Sequence, residues 1–274
     1  MDSSPKFLHY TTSPAVEFCD VSMRYRKDQP VVLRNLSFKI SAGQKVGVIG
    51  RTGSGKSSLL LALLRMVDIE AGDILIEGHP IRSYRLRKLR QLFSVIPQDP
   101  VLFNGSLRDN LDPLHTSSDA EIFEALRLVG MRERIATCSG GLESRVVEGG
   151  SNFSVGQRQL LCMARALLCH SCKFVLMDEA TASIDPALDK EVQHAVRHVF
   201  AAHTVITVAH RLQTLAGYDL LLLLRDGRVV ETGRPCDLLL DRASHFSRMV
   251  SAMGEESARA FAAAVEEGSR TREL

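Results

Sequence analysis

The stretch KVGVIGRTGSGKSSLLLALL, Lys45 to Leu64, decides the fold. It opens on a short apolar run, passes through a cluster of glycines and closes on an apolar segment of helical length. KVGVIG reads as a buried strand, and the chain from about Lys56 to Met66 as a helix. Between them GRTGSGKS, Gly50 to Ser57, fits G-x-x-x-x-G-K-[S/T] in strand–loop–helix order. Glycines let successive backbone N–H groups converge on phosphate oxygens. The dipole of the following helix adds favourable potential for an anion. Gly50, Arg51, Thr52, Gly53, Ser54, Gly55, Lys56, Ser57 and Ser58 are therefore the candidate phosphate cradle. Lys56 supplies a full charge near the terminal phosphates, and the Ser57 hydroxyl can ligate Mg²⁺. A plain glycine turn is the competing reading, and it leaves the Lys-Ser register and the flanking elements unexplained.

Outward from this stretch, residues 1–14 are polar with Ser, Thr and Pro and read as a linker. VEFCDVSMRY and VVLRNLSFKI alternate apolar and polar residues, as half-buried strands do. DILIEGHPI reads as a hairpin, the basic segment Tyr84 to Phe93 as a helix, and FSVIPQDP as a strand stopped by prolines. From about 102 to 170 the pattern turns helical, which suggests an inserted helical subdomain. KFVLMDEA and TVITVAH are fully apolar runs of the buried parallel-strand type, with the helical DPALDKEVQHAVRHVFAAH between them. YDLLLLLRDGRVVETG reads as a hairpin turning at Asp226-Gly227. Strands alternating with helices predict an α/β domain over 15–250, with a mostly parallel sheet and an N-terminal antiparallel β-subdomain. Residues 251–274 read as an amphipathic, loosely held tail helix.

Bulk properties exclude several classes. The chain has 274 residues, 45% of them hydrophobic and 24% charged, an ordinary globular composition. With 34 basic residues against 32 acidic, the net charge of +2 gives no global reason to expect a nucleic-acid partner. A membrane-spanning helix needs ~20 mostly apolar residues, and LLLALL and DLLLLLR fall far short. The N-terminus lacks the apolar core of a signal peptide. A soluble, cytosolic chain is the expectation, and the scattered six cysteines suit a reducing compartment. CHSC, Cys169 to Cys172, lacks both the second pair that a zinc site requires and the thioredoxin-like setting that a redox motif requires, and reads as a loop. His194 and His198, spaced four apart, read as a solvated helix face, as does the basic RSYRLRKLRQ, Arg82 to Gln91.

Two further places carry chemistry. KFVLMDEA puts Asp178 at the end of a buried strand with Glu179 next. A carboxylate there can hold a Mg²⁺ water shell, and the adjacent one can position or deprotonate a water for attack on a γ-phosphate. The plainer alternative is a pair that caps the next helix. SNFSVGQRQL, Ser151 to Leu160, places Ser154 at the N-terminus of a helix that continues LLCMARALL, which makes a second candidate anion site.

Taken together, Gly50 to Ser57, Gln98 in VIPQDPVLF, Ser154 to Gln157, FVLMDEATASID and His210 occur in the order found in ATP-binding cassette transporters. The resemblance runs from about Val16 to Val250. VLFNGSLRDNLDP, VVEGGSNFSVGQRQLLCMARALL and a Glu directly after Asp178 resemble the second, C-terminal nucleotide-binding domain of the multidrug-resistance-associated subfamily of exporters. The resemblance implies a P-loop NTPase core of RecA-like type that hydrolyses ATP with Mg²⁺ to power export across a membrane. Tyr25 would stack on adenine. Gln98 would contact Mg²⁺ and water, and Asp178 with Ser57 would complete the metal shell. His210 would bond the γ-phosphate and orient Glu179, the catalytic base. Asp185 would lie in a loop that crosses a dimer interface.

The same resemblance implies an answer to why two anion sites occur in one chain. Two nucleotide-binding domains would meet head to tail, so that Ser154, Gly156 and Gln157 face ATP held by a partner domain, and transmembrane domains would anchor the pair at the cytoplasmic face of a membrane. Phe153 and Val155 depart from the usual signature L-S-G-G-Q, so the site completed by this signature is expected to be the weaker one. A nucleotide sensor that gates a channel or transporter, valued for binding over turnover, is the alternative. A soluble cassette ATPase acting on ribosomes or DNA is a third reading, disfavoured because only one cassette is present in this sequence.

Overall fold

The computed structural model describes residues 15–178, 199–209 and 211–270. Its central sheet has six strands in the order β12-β11-β3-β10-β9-β6. These are β3 (Lys45–Ile49), β6 (Phe93–Ile96), β9 (Phe174–Asp178), β10 (Thr204–Val208), β11 (Leu220–Arg225) and β12 (Arg228–Gly233). All pair in parallel except β12, which returns antiparallel beside β11 through the Asp226-Gly227 turn. Both residues of that turn have positive φ, 50° and 75°, the geometry for which Asp-Gly is suited. Every residue of β3 and β10 is buried, so both strands read as continuous apolar runs without alternation.

A smaller antiparallel sheet, in the order β2-β1-β4-β5, is formed by β1 (Val16–Met23), β2 (Leu33–Ile40), β4 (Ile69–Ile76) and β5 (His79–Pro80). One face is apolar: Phe18, Val21, Leu36, Ile40 and Ile74 share a core with Leu59 and Leu63 of α1 (Lys56–Leu63) and with Val46, Val48 and Ile206 of the central sheet. The helix after the glycine loop is thus clamped between two sheets, and it ends three residues earlier than the pattern suggested, at a C-cap on Leu64.

On the other face lie α3 (Leu107–Leu111), α4 (Asp119–Leu128), α5 (Arg132–Ala136) and α6 (Val155–Leu167), while the short α2 (Leu86–Gln91) leads into β6. Capping boxes open α3, α4 and α6, built from Ser106 with Asp109, Ser118 with Glu121 and Ser154 with Gln157. Arg108 bridges Asp119 at 2.7 Å and Glu143 at 2.8 Å, but exposed pairs contribute little. The layer is held instead by Leu107, Ile122, Leu126, Leu160 and Met163 packed with Val175 and Met177 of β9. The inner face of α6 is therefore part of the sheet's own core, which the helical reading of 102–170 as a separate insertion does not convey.

The C-terminal segment is seated. A third core joins Ile49 and Leu215 to Phe246, Phe261 and Val265, across the helices His245–Ser251 and Glu255–Arg270. Phe246 and Phe261 meet edge to face at 5.9 Å. The amphipathic pattern of the tail is visible in the sequence, but the apolar seat it docks on is assembled from distant residues. Phe261→Ala removes a side chain that is 3% exposed, at an expected cost of about 3–5 kcal/mol. At roughly 2–4 °C per kcal/mol the melting temperature falls accordingly. A calorimetric scan in which this variant melts with wild type would show that the tail does not contribute to the core.

Candidate functional site

Beyond Ile49 the chain leaves the sheet at its carboxyl edge, where α/β folds place their ligands. Gly50, Gly53 and Gly55 take φ of 155°, 80° and 103°. A Cβ on Gly55 would press within 2.9 Å of the Leu33 side chain in a left-handed backbone, so the position suits glycine alone. Gly55 is also the N-cap of α1 and offers no side chain to the first N–H groups of that helix; no acidic residue lies in the first turn. Those donors face the loop, where an anion can accept them. Lys56 is 5% exposed, and its Nζ donates to the carbonyls of Gly50 at 2.9 Å and Arg51 at 3.2 Å. A buried ammonium held by carbonyls of its own loop is poised to exchange them for phosphate oxygens. The Ser54 hydroxyl is buried with no hydrogen-bond partner among the described residues, another donor suited to an anion. Ser57 is exposed at the mouth of the loop.

The loop is braced from outside. The Gly227 N–H donates to the Ser54 carbonyl at 3.1 Å, and the Arg34 N–H donates to the Gly227 carbonyl at 2.7 Å. The hairpin turn therefore buttresses the cradle, a role that the Asp-Gly signal marks as a turn but does not locate. The residues Gly50 to Ser54 also line a cavity of about 580 Å³, together with Arg225, Asp226 and Arg248.

Strand register brings the remaining candidates to the same edge. Asp178 is level with Val208 of β10, and Val208 with Val48 of β3, two residues before Gly50. Ile96 lies beside Met177, so Pro97 and the exposed Gln98 emerge next to Asp178. Tyr25, 45% exposed, sets its hydroxyl 2.8 Å from the Ser58 hydroxyl on α1, which places the ring beside the start of that helix. Glu179, Asp185 and His210, with His194 and His198, lie outside the described residues.

The second candidate anion site is separate. Ser154 caps α6: its hydroxyl accepts from the Gln157 N–H at 3.2 Å, and Gln157 Oε1 accepts from the Ser154 N–H at 3.0 Å. The serine hydroxyl is thus already engaged as a cap, with Gly156 buried behind it and Val155 39% exposed in front. Phe153, the departure noted in the sequence, is a buried member of the helical core. α6 rests on β6, and β6 stands three strand spacings from β3, roughly 14 Å along the sheet. Two residues not singled out in the sequence join this helix to the Gln98 segment. Asn110 holds Phe103 through both its backbone groups at 2.7 and 2.8 Å, and Arg165 donates to the Asn110 carbonyl at 2.6 Å and the Val101 carbonyl at 3.4 Å. Their only sequence signal is polar residues recurring in an otherwise apolar helical pattern.

A family model for the ABC transporter matches residues 33–182, more than half of the chain. The chain belongs to the ABC transporter family. Over 93% of its length it is 52% identical to a multidrug resistance protein of Leishmania tarentolae, and over 84% it is 45% identical to ATP-binding cassette sub-family C member 2 of Rattus norvegicus. The chain spans 16% of the first relative and 15% of the second. A bacterial Atm1-family ABC exporter, solved with ATP bound, superposes with a TM-score of 0.82 at 32% identity, over 93% of this chain and 44% of that one. The P-loop α/β core, its antiparallel layer and its helical layer are thus those of an ABC ATPase domain. Among the described residues no helix is long and apolar enough to cross a membrane.

Ser154→Ala opens the capping box at an expected cost of about 1 kcal/mol. Because α6 starts on the β6 side of the sheet, the affinity of the isolated chain for ATP is expected to stay unchanged. Thermal melting with and without ATP checks both halves; a lost ATP-induced shift would place the Ser154 cap at the chain's own cradle.

Proposed function

We propose that this ABC transporter chain binds and hydrolyses ATP to drive export by a membrane transporter of the multidrug-resistance type, as its C-terminal nucleotide-binding domain at the cytoplasmic face. The observation that carries the reading is the buried Lys56, held by loop carbonyls at the N-terminus of α1, on the sheet edge to which β9 and β6 also bring Asp178 and Gln98. The triphosphate takes the N–H groups of Gly50 to Ser58 and the Lys56 ammonium. The adenine stacks on Tyr25, a ring residue that is 45% exposed.

Mg²⁺ fits the donor set of hard oxygens on Ser57, Gln98 and Asp178, and when bound it neutralises charge on the phosphates. Glu179, directly after Asp178, takes the proton of the attacking water, and His210, two residues past Val208, orients it. Support for a head-to-tail pair comes from the separation of cradle and signature: the uncapped end of α1 and the cap of α6 belong to opposite parts of the sheet. A partner domain of the same transporter supplies the signature that faces this cradle, and the transporter's transmembrane domains choose the cargo.

Lys56→Ala is expected to weaken ATP binding at least tenfold by calorimetry, since it removes a charge-assisted contact of about 1.5–3 kcal/mol. Unchanged affinity would overturn the cradle. Glu179→Gln should leave binding intact and lower turnover by about 10²–10⁴-fold; wild-type turnover in that variant would remove Glu179 as the base. If Tyr25 stacks, Tyr25→Phe binds ATP like wild type although its contact with Ser58 is lost, while Tyr25→Ala loses about 1–3 kcal/mol. Turnover of the isolated chain should be slow and rise more than linearly with its concentration, and a rate strictly proportional to concentration would speak against a shared site.

A further inference from the structure

We propose that Cys169 and Cys172 form a peroxide-responsive thiol pair in which Cys169 is oxidised first and Cys172 resolves it to a disulfide. The inference is independent of the nucleotide reading. The chain between them is a tight turn: the Cys172 N–H donates to the Cys169 carbonyl at 2.9 Å. Such a turn holds its end Cα atoms within about 7 Å, and disulfides span ~4.4–6.8 Å. Both thiols are free. Ser171 Oγ lies 3.9 Å from the Cys169 sulfur and gives its own proton to the Gln91 carbonyl at 3.2 Å. The pair thus sits at the two ends of one tight turn, close enough to be bridged.

The two sulfurs differ in the manner a sensor pair requires. Cys169 is half-buried and reachable, whereas Cys172 is 7% exposed, with its Sγ donating to the Phe174 carbonyl at 3.0 Å. The adjacent Cys172 side chain, helped by Ser171, outweighs burial and brings Cys169 down to about 6. The adjacent Cys169, then burial, pushes Cys172 up. Neighbouring charges do not supply this asymmetry. His170 faces Glu121 at 3.8 Å, and Lys173 is paired with Glu77 at 2.7 Å. By contrast, burial and then Glu17 raise the thiol of Cys19.

The chemistry balances with a peroxide as oxidant. The Cys169 thiolate attacks one peroxide oxygen, the O–O bond breaks, and the departing hydroxide takes a proton to leave as water. This leaves a sulfenic acid on Cys169. The Cys172 sulfur then attacks the Cys169 sulfur, the S–O bond breaks, and the second hydroxide leaves as water with the Cys172 proton. The two thiols lose two electrons and two protons in all, and the peroxide becomes two waters. The bond formed ties the end of α6 to the start of β9.

The test uses the whole chain and hydrogen peroxide. Iodoacetamide at pH 7 is expected to label Cys169 at least tenfold faster than Cys19 in the wild type, a readout that needs no variant. After one equivalent of peroxide, peptide mapping without reductant should find Cys169 joined to Cys172, with dithiothreitol restoring both thiols. Cys172→Ser should halt at a dimedone-trapped sulfenic acid on Cys169, and Cys169→Ser should form neither product. The proposal is overturned if Cys19, Cys138 or Cys236 is alkylated or oxidised as fast as Cys169. It is equally overturned if Cys172→Ser yields no sulfenic acid at Cys169, or if oxidised wild type shows no bond between the pair.

Discussion

Strand β3 is hydrogen-bonded on both sides, to β10 and to β11, and buried along its whole length. That confinement governs everything built at the nucleotide end of the molecule. A strand saturated on both edges and both faces can deliver its chain in one direction only, out through the carboxyl edge of the sheet. The loop that follows must then turn sharply back into α1, which the two sheets clamp from either side. Gly55 at the start of α1 sits against Leu33, and the turn at Gly227 donates to the Ser54 carbonyl, so the loop has backbone neighbours on several sides and no room to collapse. The N–H groups at the start of α1 remain pointed at the mouth of the loop, where the Gly55 N-cap offers no side chain. The open anion site is thus a consequence of packing that has nothing to do with phosphate, and Lys56 meets the loop carbonyls because the loop curls around its buried stem.

Much of this was legible in the sequence because local signals and global packing agree there. KVGVIG is apolar without alternation since its strand is buried on both faces, and Asp226-Gly227 makes the turn that its two positive φ values require. The capping residue Ser154 was likewise readable, with Gln157 three positions on. What could not be read was tertiary partnership. Nothing local tells that the Gly227 turn props the distant phosphate loop at Ser54, or that Phe261 finds a seat on Phe246. Phe153 looked like an odd substitution in a signature and proves to be a core residue, because its neighbours come from helices read as separate pieces. The CHSC turn looked bland because spacing alone does not show that one cysteine is half-buried and the other buried at the two ends of one tight turn.

The capping box on α6 constrains how a second phosphate can be met. With the Ser154 hydroxyl oxygen accepting from the Gln157 N–H and Gln157 Oε1 accepting from the Ser154 N–H, the box takes up two backbone donors and fixes both side chains. An incoming γ-phosphate, under the proposed head-to-tail reading, is left the Ser154 hydroxyl proton, the Gln157 amide protons and the remaining backbone N–H groups of the first turn. Val155 is exposed at the first helical position, where a glycine would let a phosphate approach more closely. The physical expectation is an anion site weaker than the glycine cradle, in keeping with the division of labour read from the signature.

The Gln98 segment, α6 and β9 form a closed mechanical circuit. Gln159 on α6 donates to the Pro97 carbonyl at 3.4 Å, and Arg165 on the same helix holds Val101 and Asn110. The end of α6 turns through Cys169 and Cys172 directly into β9, and β9 pairs with β6, which leads back to Pro97. Lys173 and Phe174 both donate to the Leu92 carbonyl, sealing the β9–β6 joint at its start. A displacement of α6 must therefore carry the Gln98 loop with it or break these bonds. Because Asp178 closes β9 on the same circuit, a contact made at the cap of α6 and a ligand held between Gln98 and Asp178 bear on one rigid body. Coupling between the two ends of the signature helix then needs no long relay: it follows from the short covalent turn at Cys169–Cys172 and the packing of α6 on β6, which leave the helix few ways to move alone.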